Sequence, residues 1–201
     1  MTKNRLETCS DGVFAIVITL LVLDIKLPEV NALGLIQALK ESLPRIAAYV
    51  LSFAIIGLYW ISHLRSFELI AKVDGAVFWI NLLLLLLVSF IPFPTALLGR
   101  YPNEALPIVI YGLTLIACNA VGLGLMAYLL RHPHLLAQEH RRDSLWRQFP
   151  VRLIVMVNAG YLMAVLLAGV APLASYVLFT LILVALIGRI VKFELGDGIK
   201  S

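Results

Sequence analysis

Ser10, Asp11 and His63 supply the letters of a hydrolytic triad, and Asp11 with His63 is also the pair best suited to relay a proton. A triad needs its nucleophile, base and orienting carboxylate in hydrogen-bonding succession. Here Asp11 is the immediate neighbour of Ser10, and one step along a helix turns the two side chains in different directions. No nucleophile-elbow pattern surrounds Ser10. The expectation is therefore no catalytic residue and no enzyme. Metal chemistry is equally unsupported: His132, His134 and His140 lie in a basic stretch without carboxylate or thiol partners at ligand spacing, and Cys9 and Cys118 sit on separate segments. No metal site or cofactor is expected.

What remains for these polar groups is to hold a helix. Arg5, Ser10, Asp11, Asp24 and Lys26 bracket the apolar stretch Gly12 to Leu23. Twelve helical residues span about 18 Å, short of a hydrocarbon core roughly 30 Å thick, so this segment is expected to sit inside a bundle and not against lipid. A carboxylate near mid-bilayer costs on the order of 3 kcal/mol and marks a functional path or a paired site. The expected partners of Arg5, Ser10 and Asp11 are His63 at the end of the second span and Trp79 and Asn81 at the start of the third. Together these six residues are expected to form a polar network fixing the first helix to its neighbours, the alternative being a shallow Asp11 solvated at the interface.

At about 100° per residue, Arg5, Cys9, Gly12, Thr19, Leu20, Leu23 and Leu27 fall on the same side as Ile16, while Ser10, Asp11 and Ile25 face away. The helix thus carries one nearly apolar stripe broken by a single hydroxyl. Periodicity alone does not say which face lines a path, because Val17, Ile18, Leu21 and Val22 are apolar too.

The elements around this helix follow from composition. Of 201 residues, 61% are hydrophobic, in long runs with few interruptions, which identifies an all-α integral membrane protein. Six transmembrane helices are expected, at Ser10 to Pro28, Pro44 to His63, Ala76 to Leu98, Ala105 to Leu130, Pro150 to Ala171 and Pro172 to Phe193, in one domain covering 1–201. The acidic Glu7 and Asp11 and the lack of a small-residue cleavage site argue against a signal peptide, so the first helix is expected to stay in the chain. With the amino terminus cytoplasmic, twelve of the sixteen Lys and Arg residues fall on the inner side, leaving Lys26, Lys40, Arg45 and Arg100 outside. Both termini are then inside. The basic stretch Arg131 to Arg152 reads as a cytoplasmic loop facing anionic lipid headgroups, not as a nucleic-acid patch.

A second loop, 29–43, is expected to carry a surface helix outside. Pro92 and Pro94 fall within the third span and predict a kink or unwinding of its last turns. No three-helix repeat is visible, which speaks against a secondary transporter of the inverted-repeat type. Asn119 and Asn158 are expected to bridge helices, and Gly112, Gly122, Gly124 and Gly160 to permit close helix contact. Tyr101, Tyr128, Trp146 and Tyr176 suit interfacial belts.

The string Arg5, Ser10-Asp11-Gly12-Val13-Phe14-Ala15-Ile16, then Thr19-Leu20-Leu21-Val22-Leu23-Asp24-Ile25, resembles the R-x(4)-F-S-D-G-V-F-A-I-x-x-T-L-L-V-L-D-I signature of the transmembrane protein 175 family of potassium channels, in its bacterial branch. Trp60-x-x-His63, Trp79-x-Asn81 and Phe90-Ile91-Pro92-Phe93-Pro94-Thr95 extend the resemblance over roughly the first hundred residues. The chain departs from the motif at Cys9, where the family has Phe.

The resemblance implies a homotetramer around a central pore lined by the first helix, in the bacterial cell membrane. It further implies a constriction at Ile16, Leu20 and Leu23, with potassium over sodium selectivity associated with Thr19. Asp24 falls at the outer mouth, where it would concentrate cations. Potassium pores usually strip the ion's water with a T-V-G-Y-G carbonyl loop, and this chain has none. Carbonyls of a continuous helix are already bonded within it. Selectivity is therefore expected to be modest, and closure to occur by dewetting of the aliphatic rings. The alternative is a proton-coupled transporter or proton channel using Asp11 and His63.

Overall fold

Leu6, Ser10, Phe14, Val17 and Leu21 recur at intervals of three and four, and all five are buried. That spacing is one stripe of an α-helix, and it determines how the first helix seats. The structure, a computed structural model, describes residues 2–25, 34–137 and 151–197. Helix α1 is Lys3–Leu20, continued by a tighter 3₁₀ turn, Leu21–Asp24. The unit begins seven residues before the expected Ser10 and covers 22 residues, or about 33 Å at the α-helical rise. The twelve-residue argument for its shortness is thus overturned: Arg5 to Asp11 are helical and extend the apolar core instead of ending it. The predicted end at Pro28 lies outside the described residues.

Among the described residues seven further α-helices follow: α2 Leu35–Glu41, α3 Leu43–Glu68, α4 Gly75–Phe90, α5 Pro92–Arg100, α6 Ala105–Arg131, α7 Val151–Leu167 and α8 Pro172–Asp197. Among the described residues, five units are long and apolar enough to cross a membrane: α1 with its turn, α3, α4 with α5, α6 and α8. The fifth of the six expected spans is the exception. Its helix, α7, ends at Leu167, four residues before the expected Ala171, and the chain turns there, with Ser175 Oγ donating to Ala164 O across the turn; the expected start at Pro150 lies outside the described residues.

Helix α1 packs on α3 and α4, α3 on α5, α4 on α6, and α6 on α7, which lies against α8. The larger core joins Phe14, Ile55, Val88, Tyr111 and Phe179 across these helices. A smaller one, around Leu6, Phe67, Ile70, Val77 and Leu136, fills the end where α1 begins. There the segment after α6 pairs with the α3–α4 connection through Ala71 N to Leu135 O (2.8 Å) and Ala137 N to Leu69 O (3.0 Å). Asp74 caps α4 by accepting from Val77 N and also accepts a 2.6 Å bond from the Tyr128 hydroxyl. Those donors hold its carboxyl below the usual range. The remainder of the expected basic loop, with His140, Arg141, Arg142, Trp146 and Arg147, lies outside the described residues.

The expected interruption at the two prolines is present as a break between helices, without unwinding. Helix α4 stops at Phe90 and α5 starts at Pro92, while Ile91 between them keeps right-handed helical angles. Asn119 Nδ2 donates to Asn158 Oδ1 at 2.8 Å and bridges α6 to α7 as predicted.

Of the four glycines expected at close contacts, two are. A Cβ on Gly112 would meet Val165 Cγ2 at 2.5 Å and one on Gly160 would meet Ile182 Cδ1 at 2.7 Å, whereas Gly122 and Gly124 have open space. Gly99 escaped the sequence reading: its Cβ would fall 2.8 Å from Arg45 Cα. Backbone cannot step aside as a side-chain tip can, so Gly99→Ala is expected to destabilise by about 1–3 kcal/mol through overpacking. Gly124→Ala should leave the melting temperature in detergent unchanged, and equal melting of the two variants would refute the contact.

Candidate functional site

Ser10 fixes every proton in the clamp that holds α1. Its hydroxyl donates to Leu6 O at 2.8 Å, a bond within its own helix. Ser10 Oγ can therefore only accept from Asn81, whose Nδ2 lies 3.1 Å away. That orients the Asn81 amide so that Oδ1 faces His63 Nε2 at 2.8 Å, and a carbonyl oxygen requires a donor there. The Nε2–H tautomer of His63 is thus imposed by the network, and Nδ1 is left without a partner. His63 is 4% exposed. Its ring is stacked on Phe67 at 4.3 Å and tilted against Phe14 at 5.5 Å. Three helices, α1, α3 and α4, meet in these contacts.

Asp11 is held differently from the expectation. Its Oδ1 accepts a 2.9 Å bond from Trp60 Nε1, and no hydrogen bond joins it to His63. The pair that a proton relay would need has been divided between two acceptor systems. Two expected members stand outside the clamp altogether. Trp79 is exposed, with its ring edge against the neighbouring Phe78. Arg5 is exposed at the start of the opposite face, and among the described residues no ion pair joins it to Asp11. Trp60 is the residue the expectation missed: three residues before His63, it lies on the same side of α3, but that spacing does not rank it above Trp79.

Opposite the clamp, α1 carries a bare face. Arg5, Cys9, Gly12, Ile16, Thr19, Leu20 and Leu23 are all exposed, with Ile16 at 59%, Leu20 at 47% and Leu23 at 65%. These are the described positions of the stripe set out on the helical wheel. The Thr19 hydroxyl donates into its own helix, to Ile16 O at 2.8 Å. Its oxygen lone pairs are then left for an outside donor or cation. Asp24 ends the element with its carboxylate 3.9 Å from the Arg100 guanidinium of α5, so its charge is partly offset.

An all-helical chain with five units long and apolar enough to cross a membrane, its first helix clamped on one side and bare along the other, has the architecture of an integral membrane protein. The comparisons identify which. Residues 5–92 match the family model described as "Endosomal/lysosomal potassium channel TMEM175". A potassium channel of Chamaesiphon minutus is 41% identical over 155 residues, 73% of this chain and 76% of that one. A potassium channel of Streptomyces collinus is 42% identical over 138 residues, 66% and 67% of the two chains. The crystal structure of a lysosomal potassium-selective channel TMEM175 homolog from Chamaesiphon minutus superposes with a TM-score of 0.79 at 34% identity, covering 93% of this chain and 97% of that one. The chain belongs to the TMEM175 family.

Proposed function

We propose that this chain is the subunit of a passive, potassium-permeable cation channel in the bacterial cell membrane, four copies placing the bare face of α1 around a common pore. Family membership supports the activity, and the exposed run Ile16, Thr19, Leu20 and Leu23, on the side of α1 opposite its buried stripe, carries the choice of pore-lining element. The whole chain acts as one channel domain with both termini cytoplasmic, which puts Asp24 and Arg100 at the outer mouth.

In such a tetramer Ile16, Leu20 and Leu23 form stacked aliphatic rings that offer a hydrated ion nothing in place of its water, so a narrow pore there closes by dewetting. Between them four Thr19 oxygens, their hydrogens committed to the helix, face the ion as acceptors. A ring of four such groups dehydrates potassium more readily than sodium, whose hydration is stronger. The result is a real but modest preference.

The test is flux of each ion in reconstituted liposomes, with Thr19→Val as the variant that keeps shape and removes the oxygen. Wild-type protein is expected to pass potassium faster than sodium, and Thr19→Val to bring the ratio towards one. Equal ratios in the two proteins would overturn the Thr19 assignment. Crosslinking of the purified protein that stopped at two or three subunits would overturn the four-fold pore.

A further inference from the structure

The two prolines that break the third span leave a short helix, α5, whose position is set by a chain of hydroxyls unrelated to the clamp on α1. Thr95 Oγ1 lies 2.8 Å from Ile91 O and 2.8 Å from Ser52 Oγ, and Ser52 Oγ lies 2.9 Å from Tyr111 Oη. All three side chains are buried, Tyr111 and Ser52 completely. The Thr95 hydroxyl donates to Ile91 O and to Ser52 Oγ, and either Ser52 or Tyr111 donates in the bond between them. The chain runs from Tyr111 of α6 through Ser52 of α3 to Thr95 of α5 and the Ile91 carbonyl. Ile91 O also accepts from Thr95 N at 3.1 Å.

Beyond Thr95, α5 is pinned at each remaining turn. Leu98 O accepts from the Tyr176 hydroxyl of α8 at 3.2 Å, Gly99 sits against the backbone of Arg45, and Arg100 reaches Asp24 at the end of the first helix. Helix α5 also packs directly on the Leu21–Asp24 turn. One short element therefore connects a fully buried hydroxyl chain to the last turn of the helix that lines the pore.

We propose that the Tyr111–Ser52–Thr95 chain is a positioning device for the pore: it sets the angle of α5 and, through Arg100 and the packed turn, the position of Leu23 and Asp24 at the outer end of the conduction path. The inference rests on the reading of α1 as pore-lining. Among the described residues neither Ser52 nor Tyr111 is hydrogen-bonded to α1, but α3 packs on α1 and on its last turn, so the Thr95 variants, which alter α5 and leave α3 intact, separate a route through α5 from one through α3.

Two pairs of variants test it. Ser52→Ala breaks the chain and leaves the buried Tyr111 hydroxyl without its partner, so it lowers stability. Adding Tyr111→Phe removes that stranded hydroxyl, and the double variant is expected to melt near the wild type while still lacking the link between α3 and α5. In single-channel recordings both proteins should show the ratio of inward to outward conductance changed at least twofold, Tyr111→Phe alone leaving it as in the wild type. Thr95→Val should behave like the double variant, and Thr95→Ser, which keeps the hydroxyl, like the wild type. A double variant of restored stability with an unchanged conductance ratio would overturn the proposal and leave the chain a purely structural feature. Ile16→Asn, measured alongside, separates the two readings. If it alters flux while the Ser52 and Thr95 variants do not, only the positioning role fails; if it too is silent, the pore assignment of α1 is what has failed.

Discussion

Ile16→Asn is expected to raise potassium flux through reconstituted channels by about tenfold or more, equivalent to lowering the barrier by ~1.4 kcal/mol. Ile16 is 59% exposed on the bare face of α1, one turn before Leu20. A ring of four isoleucines can neither donate to nor accept from water, so a narrow column of water there is unstable and the ion meets an apolar gap. Four carboxamides supply eight N–H donors and four carbonyl acceptors at the same place. The pore then stays wetted, and the ion crosses with part of its shell intact. The same change should erode discrimination between potassium and sodium, because a hydrated path no longer forces the ion onto Thr19. Leu166→Asn is the matched control: Leu166 is 67% exposed on α7, and flux per channel should not respond to it. Equal responses at the two sites, or none at Ile16, would show that the bare face of α1 is lipid-facing.

The grouping of residues on α1 was legible because one period organises it, but not which group is exposed. Buried Leu6, Phe14, Val17 and Leu21 are as apolar as exposed Ile16, Leu20 and Leu23, and the choice between them came with the family resemblance. The polar partners of Ser10 were legible for a different reason. His63 and Asn81 are rare polar groups in apolar runs at matching depth, and few other acceptors and donors were available to them. The choice between Trp60 and Trp79 was not legible. Both are tryptophans near the same end of the bundle, and only the rotation of α3 relative to α4 decides which indole reaches Asp11. Helix ends were also poorly marked. Lys3 to Asp11 contains polar residues that suit either a loop or the first turns of a helix, and its charged spacing of Lys3 and Glu7, 3.6 Å apart one turn on, belongs to the helix. Close contacts such as Gly99 on Arg45 depend on how far one helix slides along another, which no single segment encodes.

Asn81→Leu is expected to be the most damaging change of the clamp, lowering stability by about 2–4 kcal/mol. The side chains are similar in volume, so no large cavity opens. What changes is polar satisfaction. Ser10 keeps its bond to Leu6 O and is not stranded, but His63 Nε2–H loses its acceptor in a site where Nδ1 already has none. A buried donor left unmade costs about 1–3 kcal/mol, and each lost interhelical bond adds roughly 0.6 kcal/mol in a membrane setting. Because Asn81 is what ties α4 to both α1 and α3, the loss loosens the helix proposed to line the pore. A double-mutant cycle isolates the cause. His63→Phe keeps a ring between Phe14 and Phe67 and removes the stranded nitrogen, so the combined variant should recover part of the stability lost by Asn81→Leu alone. If the combined protein instead melts below the single variant, the damage lies in packing around residue 81 and the imposed Nε2–H tautomer is not what holds the clamp.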